Sequence, residues 1–168
     1  MQFKKVNQYS LKIQFEDIDM GGAVHNPNYL KFFERARNFH FEEIGIGTPK
    51  MIADGLALAL AESHIKYVRP LTLAQEVRVL TKVTGLRATG LRMEQAIVDA
   101  NSLAPSIDDV DFDKLKGIFC LSKGKLVCVN LQTFKPTQLP GSLVASIMHG
   151  LEAGIIVDDD ISIVPSGK

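Results

Sequence analysis

Only one long stretch of this chain repeats its apolar residues at helical spacing. Tyr29, Phe32, Phe33, Ala36, His40 and Ile44 share a face, while Lys31, Glu34, Arg35, Asn38 and Glu42 fall on others. Asn26-Pro27 supplies an N-cap and a first-turn proline and Gly45 supplies a stop, so the spacing predicts one helix of about 17 residues. A stripe this wide needs a cover, and the rest of the sequence reads as strands.

Tyr9, Leu11, Ile13 and Phe15 alternate with Ser10, Lys12 and Gln14, the pattern of a half-buried strand ahead of the helix. After the helix, the β segments run from Leu56 to Val68, Glu76 to Gly85, Leu91 to Asp99 and Ile118 to Leu131. Turns are marked by Arg69-Pro70, by Gly85 with Gly90, and by the loop from Asn101 to Asp113. One strand, one helix and four strands predict an α+β fold in which an antiparallel sheet wraps one long central helix. Ser122-Lys123-Gly124 also reads as a hairpin turn that would split the last strand. The segment Leu103 to Lys116 carries Asp108, Asp109, Asp111 and Asp113 but lacks the glycine and terminal glutamate of an EF-hand loop, so it is expected to be solvated. Pro140 to Glu152 predicts a short helix through Leu143, Ile147 and Leu151, ahead of an acidic tail around Asp158 to Asp160 expected to fray. The expected organisation is one domain over residues 1–150 and a tail over 151–168.

At 168 residues the chain suits a single buried core. Lys plus Arg balances Asp plus Glu at 19 each, which leaves no net field for nucleic acid or an anionic membrane. No apolar run reaches membrane-span length, and MQFKKVNQYS lacks a signal-peptide core, so a cytoplasmic protein is expected. Cys120 and Cys128, if on one strand, share a face roughly 26 Å apart and are expected as buried free thiols.

The chemistry concentrates between the first strand and the helix. Asp17 and Asp19 precede Gly21-Gly22-Ala23-Val24-His25-Asn26, and Pro27 opens the helix. A carboxylate at the mouth of a turn, facing free N–H groups of a helix N-terminus, sets a base or nucleophile opposite an oxyanion binder. Acyl transfer uses that arrangement. Asp19 is the candidate, and the competing role is a cap on its own turn. Gly21 and Gly22 permit positive φ and a close approach of main chain to ligand, or simply a tight turn. The backbone N–H groups near His25 and Asn26 are candidate oxyanion donors, and the His25 imidazole is a candidate acid or orienting donor. His40, His64 and His149 have no evident triad partners and read as structural.

Residues 15–37, FEDIDMGGAVHNPNYLKFFERAR, resemble the active-site stretch of hot-dog fold acyl-CoA thioesterases of the 4-hydroxybenzoyl-CoA thioesterase type. In that likeness Asp19 matches the catalytic aspartate, acting as general base on water or as nucleophile. Members associated with the Tol-Pal genes carry a histidine seven residues after the aspartate; this chain has Asn26 there and His25 one place earlier. Asn26 is similar to the asparagine of some plant-type acyl-ACP thioesterases, and Pro27-Asn28-Tyr29 is similar to the 4-hydroxybenzoyl-CoA branch. Tyr29 falls at the family's tyrosine, to line the acyl pocket or pack the helix, and Val24 joins Gly21, Gly22 and Tyr29 as a substrate-binding candidate. Glu34 and Arg37 match an E-x-A-R run that an ion pair on the helix surface would explain. Tyr67-Val68-Arg69-Pro70-Leu71, Met93-Glu94-Gln95 and residues 126–140 extend the likeness to about residues 9–148, and the likeness favours one unbroken last strand.

The resemblance implies hydrolysis of acyl-CoA to free acid and CoA, with no metal or bound cofactor, the CoA moiety entering as part of the substrate. It also implies a homodimer or homotetramer joined through sheet edges, with the aspartate from one subunit and pocket walls from the other. Arg69, Arg87 and Arg92 are candidate partners for CoA phosphates. The alternatives are a thioesterase for acyl carrier protein, which would be an added partner, a dehydratase of the same fold, and a hot-dog domain that binds acyl-CoA or proteins without turnover.

Overall fold

The computed structural model describes residues 6–102, 111–149 and 156–157. Within them the chain runs β1 (Asn7–Lys12), α1 (Asn26–Glu43), α2 (Thr48–Ala53), β2 (Leu56–Tyr67), β3 (Glu76–Arg87), β4 (Gly90–Asp99), β5 (Ile118–Asn130), α3 (Gly141–His149) and β6 (Ile156–Val157). The sheet order is β1-β3-β4-β5-β2, antiparallel throughout, and β6 adds in parallel to Gly85–Leu86 of β3. One long helix on one face of an antiparallel sheet is the hot-dog arrangement expected from the sequence.

The helix stripe does what its spacing predicts. Phe32, Phe33 and Ala36 are fully buried against Val77, Val79, Ile97 and Cys120. Farther along, Phe41 packs with Val83, Met93, Leu126 and Cys128, and α2 and α3 close that end through Met51, Leu143 and Ile147. Replacing Phe32 or Phe33 by alanine would cost about 3–5 kcal/mol, because the void would sit where sheet and helix meet. Burial pushes the His40 imidazole down to about 4 on the same helix.

Several local readings change. The helix is capped by His25 rather than Asn26, without a side-chain bond, and Gly45 ends it at φ +79°. β1 stops at Lys12, and Phe15 leaves the sheet for a 3-10 turn that exposes it. Gly85 lies inside β3 at a register shift, while the hairpin turns two residues later between Arg87 and Gly90. Gly90 is required there, since a Cβ would run into the Leu126 carbonyl of β5. β5 is unbroken: Ser122, Lys123 and Gly124 pair with Gln95, Glu94 and Met93 on one side and with Ile65, His64 and Ser63 on the other. Cys120 and Cys128 are free and buried on that strand. The acidic loop is partly docked: Phe112 covers Leu80, Ala96, Val98 and Leu121 on the outer sheet face, under Lys82 at 4.3 Å. Asp108, Asp109, Leu151 and Asp158 to Asp160 lie outside the described residues.

Glu34 and Arg37 do not form a surface ion pair. Arg37 is buried, and its Nη1 donates to Gln95 Oε1 at 3.1 Å. The Gln95 amide in turn donates to Phe33 O and Thr81 Oγ1, both at 2.9 Å, so helix and sheet share an interior polar network. Among the described residues no helix is long and apolar enough to cross a membrane.

Candidate active site

A short bridge between Ile18 and Val24 pinches off the loop that carries Asp19. The Asp19 N–H donates to Ala23 O at 2.9 Å, and the Gly22 N–H donates back to Asp19 O at 3.0 Å. The Gly21 N–H donates to Asp19 Oδ1 at 2.8 Å. The turn-capping role is therefore real, and it uses one carboxylate oxygen. The other has no protein partner among the described residues, and Asp19 is exposed. A Cβ on Gly21 would stand 3.1 Å from Oδ1, and Gly22 sits at φ +78° with open space around it, so the two glycines serve different ends.

The helix N-terminus meets this turn through Asp17. Its carbonyl oxygen accepts the His25 N–H at 2.9 Å and Asn28 Nδ2 at 3.1 Å, and its Oδ2 accepts the Gln14 N–H at 2.9 Å. The His25 amide is thus spent, and the Asn28 amide goes to His25 O at 2.8 Å. The Asn26 N–H has no acceptor among the described residues, and it lies at the positive end of α1. The side chains of His25 and Asn26 are exposed and make no hydrogen bond among the described residues.

Tyr29 and Val24 both grip the loop after β2. The Leu71 N–H donates to Tyr29 Oη at 3.2 Å, and the Val24 N–H donates to Leu71 O at 2.8 Å. The Tyr29 ring meets Tyr67 edge-on at 5.1 Å. Burial raises the Tyr29 pKa, against the lowering effect of the hydrogen bond from Leu71. Only 3% of Tyr29 is exposed, so it packs and ties rather than opening to solvent. The segments joined here expose Phe15, Met20, Tyr67, Val68 and Leu73.

Asp17, Asn28 and Leu71 are site-building residues to which sequence reasoning assigned no role. Two of the three act through backbone atoms. The cations expected for CoA phosphates do not converge: Arg69 donates to Ile118 O at 3.0 Å and stacks on Phe119, whereas Arg87 and Arg92 line an open groove of ≈ 600 Å³ on the outer sheet face with His64, Lys123 and Lys125. Among the described residues no cluster of side chains is arranged to hold a metal ion.

A family model described as the thioesterase-like superfamily matches residues 13–147. The acyl-CoA thioester hydrolase YbgC of Escherichia coli is 27% identical over 138 residues, spanning 82% of this chain and 92% of the relative. The chloroplastic acyl-acyl carrier protein thioesterase ATL3 of Arabidopsis thaliana is 23% identical over 145 residues, spanning 86% and 69%. A 1,4-dihydroxy-2-naphthoyl-CoA thioesterase from Synechocystis superposes with a TM-score of 0.72 at 19% identity, over 85% of this chain and 96% of its own. A Staphylococcus aureus protein solved with CoA superposes with a TM-score of 0.74 at 15% identity, over 94% and 91%, and both structures speak for the fold. With the sheet-wrapped helix in place and the family match running through the Asp19 turn to α3, the chain belongs to the thioesterase-like superfamily.

Proposed function

We propose that this protein hydrolyses acyl-CoA thioesters, with Asp19 as the general base. The observation that carries the reading is a carboxylate with one oxygen fixed by Gly21 and the other without a protein partner among the described residues, on a loop that the Asp17 carbonyl ties to a helix N-terminus whose Asn26 amide is unsatisfied. Water attacks the thioester carbonyl as Asp19 takes its proton. The oxyanion is stabilised by the Asn26 N–H and the helix dipole. Collapse breaks the C–S bond, and the proton held by Asp19 goes to the departing thiolate, giving acid and CoA. Carboxylate, amide and water suffice, so the reaction as written calls for no cofactor. The relatives named as acyl-CoA thioester hydrolases support the substrate.

The working unit in this reading is a homodimer. β2 ends the sheet order, and its outer edge leaves a row of N–H and C=O groups over 12 residues, the kind of edge that a second copy pairs with. A cytoplasmic location goes with two buried, unbridged cysteines. Acyl carrier protein is the alternative carrier, supported by the chloroplast relatives named as acyl-acyl carrier protein thioesterases. Release of free thiol from matched acyl-CoA and acyl-carrier substrates, by wild type and Asp19→Asn, tests both. Loss of hydrolysis in the variant supports the assignment, and equal hydrolysis by both proteins rejects it.

A further inference from the structure

With α1 on its inner face, an antiparallel sheet ordinarily turns a polar outer face to water. Here the outer face is apolar at its centre. Leu80, Ala96 and Leu121 are Cα partners in one row across β3, β4 and β5, and Val98 and Ile118 are partners in a neighbouring row. All five are buried, clustered with Val6, Phe112 and Leu115. The row on their other side is charged. Lys82, Glu94 and Lys123 are Cα partners there, and Glu94 pairs with Lys82 at 3.1 Å and with Lys123 at 3.5 Å.

Phe112 and Leu115 belong to the connection between β4 and β5, which leaves and re-enters the sheet at one point. The Asp99 N–H donates to Gly117 O at 3.0 Å, and a Cβ on Gly117, at φ +73°, would strike the Ser102 side chain. Ends in contact around a long excursion mark an Ω-loop, and two antiparallel neighbours need no such excursion to join them. Its return across the face is fastened at both lysines of the charged row. Lys82 lies over the Phe112 ring, and Asp113 reaches Lys123 at 3.6 Å. Asp111 caps the turn between them, its Oδ1 accepting the Asp113 N–H at 3.1 Å.

The face under this segment fits a second copy of the chain. Nucleic acid or an anionic surface selects one sign of charge, whereas this rim carries both. A two-fold axis through the apolar row sets lysine against glutamate and apolar row against apolar row, the self-complementary contact of two sheets packed face to face. We infer that Asp111–Leu115 stands in for that second copy, keeping the outer sheet face closed to self-association until the segment is lifted.

Sedimentation velocity tests this on wild type, on a chain with residues 103–116 replaced by Gly-Gly, and on full-length Phe112→Ser. Ser102 and Gly117 touch, so the short link leaves β4 and β5 in register, and circular dichroism checks the fold of each variant. Both variants are expected to reach twice the wild-type mass as concentration rises. Ala96→Lys, added to either, puts a charge in the middle of the apolar row and should restore the wild-type mass. Wild-type mass in a folded variant overturns the inference. So does a doubled mass that Ala96→Lys leaves in place, because the contact then lies elsewhere. If loss of cover unfolds both variants, Asp113→Lys decides, since that side chain is 59% exposed and its replacement spares the core while repelling Lys123. It should show partial doubling at low salt that high salt reverses, and an unchanged mass at low salt overturns the inference.

Discussion

Asn28 reaches back to Asp17: its Nδ2 donates to the Asp17 carbonyl at 3.1 Å in the interior, beside the His25 amide on the same oxygen. The contact joins the first turn of α1 to the loop holding Asp19, so it ties together the proposed base and the proposed oxyanion donor. Asn28→Ala should cost about 1 kcal/mol of stability. It should also lower kcat on the order of tenfold at nearly constant KM, because misplacement acts on the transition state. Steady-state kinetics with thermal unfolding decides this, and an unchanged kcat would remove Asn28 from the positioning role.

Asp19→Asn keeps an oxygen for the Gly21 amide and loses the base. Turnover should drop by about 10²–10⁴-fold. Asp19 is exposed, so stability should stay within about 0.5 kcal/mol of wild type. Thiol release and a denaturation curve on the same preparation separate the two effects.

The paired glycines should respond differently to alanine. At Gly21 the new Cβ would lie 3.1 Å from Asp19 Oδ1, tight enough to shift the carboxylate, so the loss should appear in kcat. At Gly22 there is room but φ is +78°, so Gly22→Ala should cost about 1–2 kcal/mol of stability with kcat largely kept. Identical profiles for the two variants would contradict this division.

His40 should make stability depend on pH. Burial holds its imidazole at about 4 against 6.5 when unfolded, so between those values the unfolded chain binds the extra proton. The contribution is fully present above pH 6.5 and is lost as pH falls toward 4, up to about 3 kcal/mol. Urea titrations at pH 7, 6, 5 and 4 should show His40→Leu flattening that slope relative to wild type.

The helix stripe was legible because its period survives in any environment that buries one face, and Phe32, Phe33 and Ala36 are interior as the spacing required. Where local signals compete with long-range pairing, pairing wins. Ser122-Lys123-Gly124 has turn chemistry, yet both edges are hydrogen-bonded into the sheet. Arg37 offers a local partner in Glu34 but bonds Gln95, 58 positions away, which no short-range rule reports. α2, at 6 residues, is too short to display a helical period. At the site, Asp19 and its glycines stand out by side-chain type. Asp17 was unreadable as an anchor because it holds the helix through its carbonyl, and every residue has one.

The placement of the two cysteines has a practical consequence. Both are buried on β5, and burial pushes the Cys120 thiol up to about 12 and raises that of Cys128, so the native chain offers almost no thiolate to a colorimetric thiol reagent. Colour from CoA release can then be read without a protein blank. The same reagent added to idle protein becomes a census of opened molecules, because each chain that unfolds surrenders both sulfurs at once.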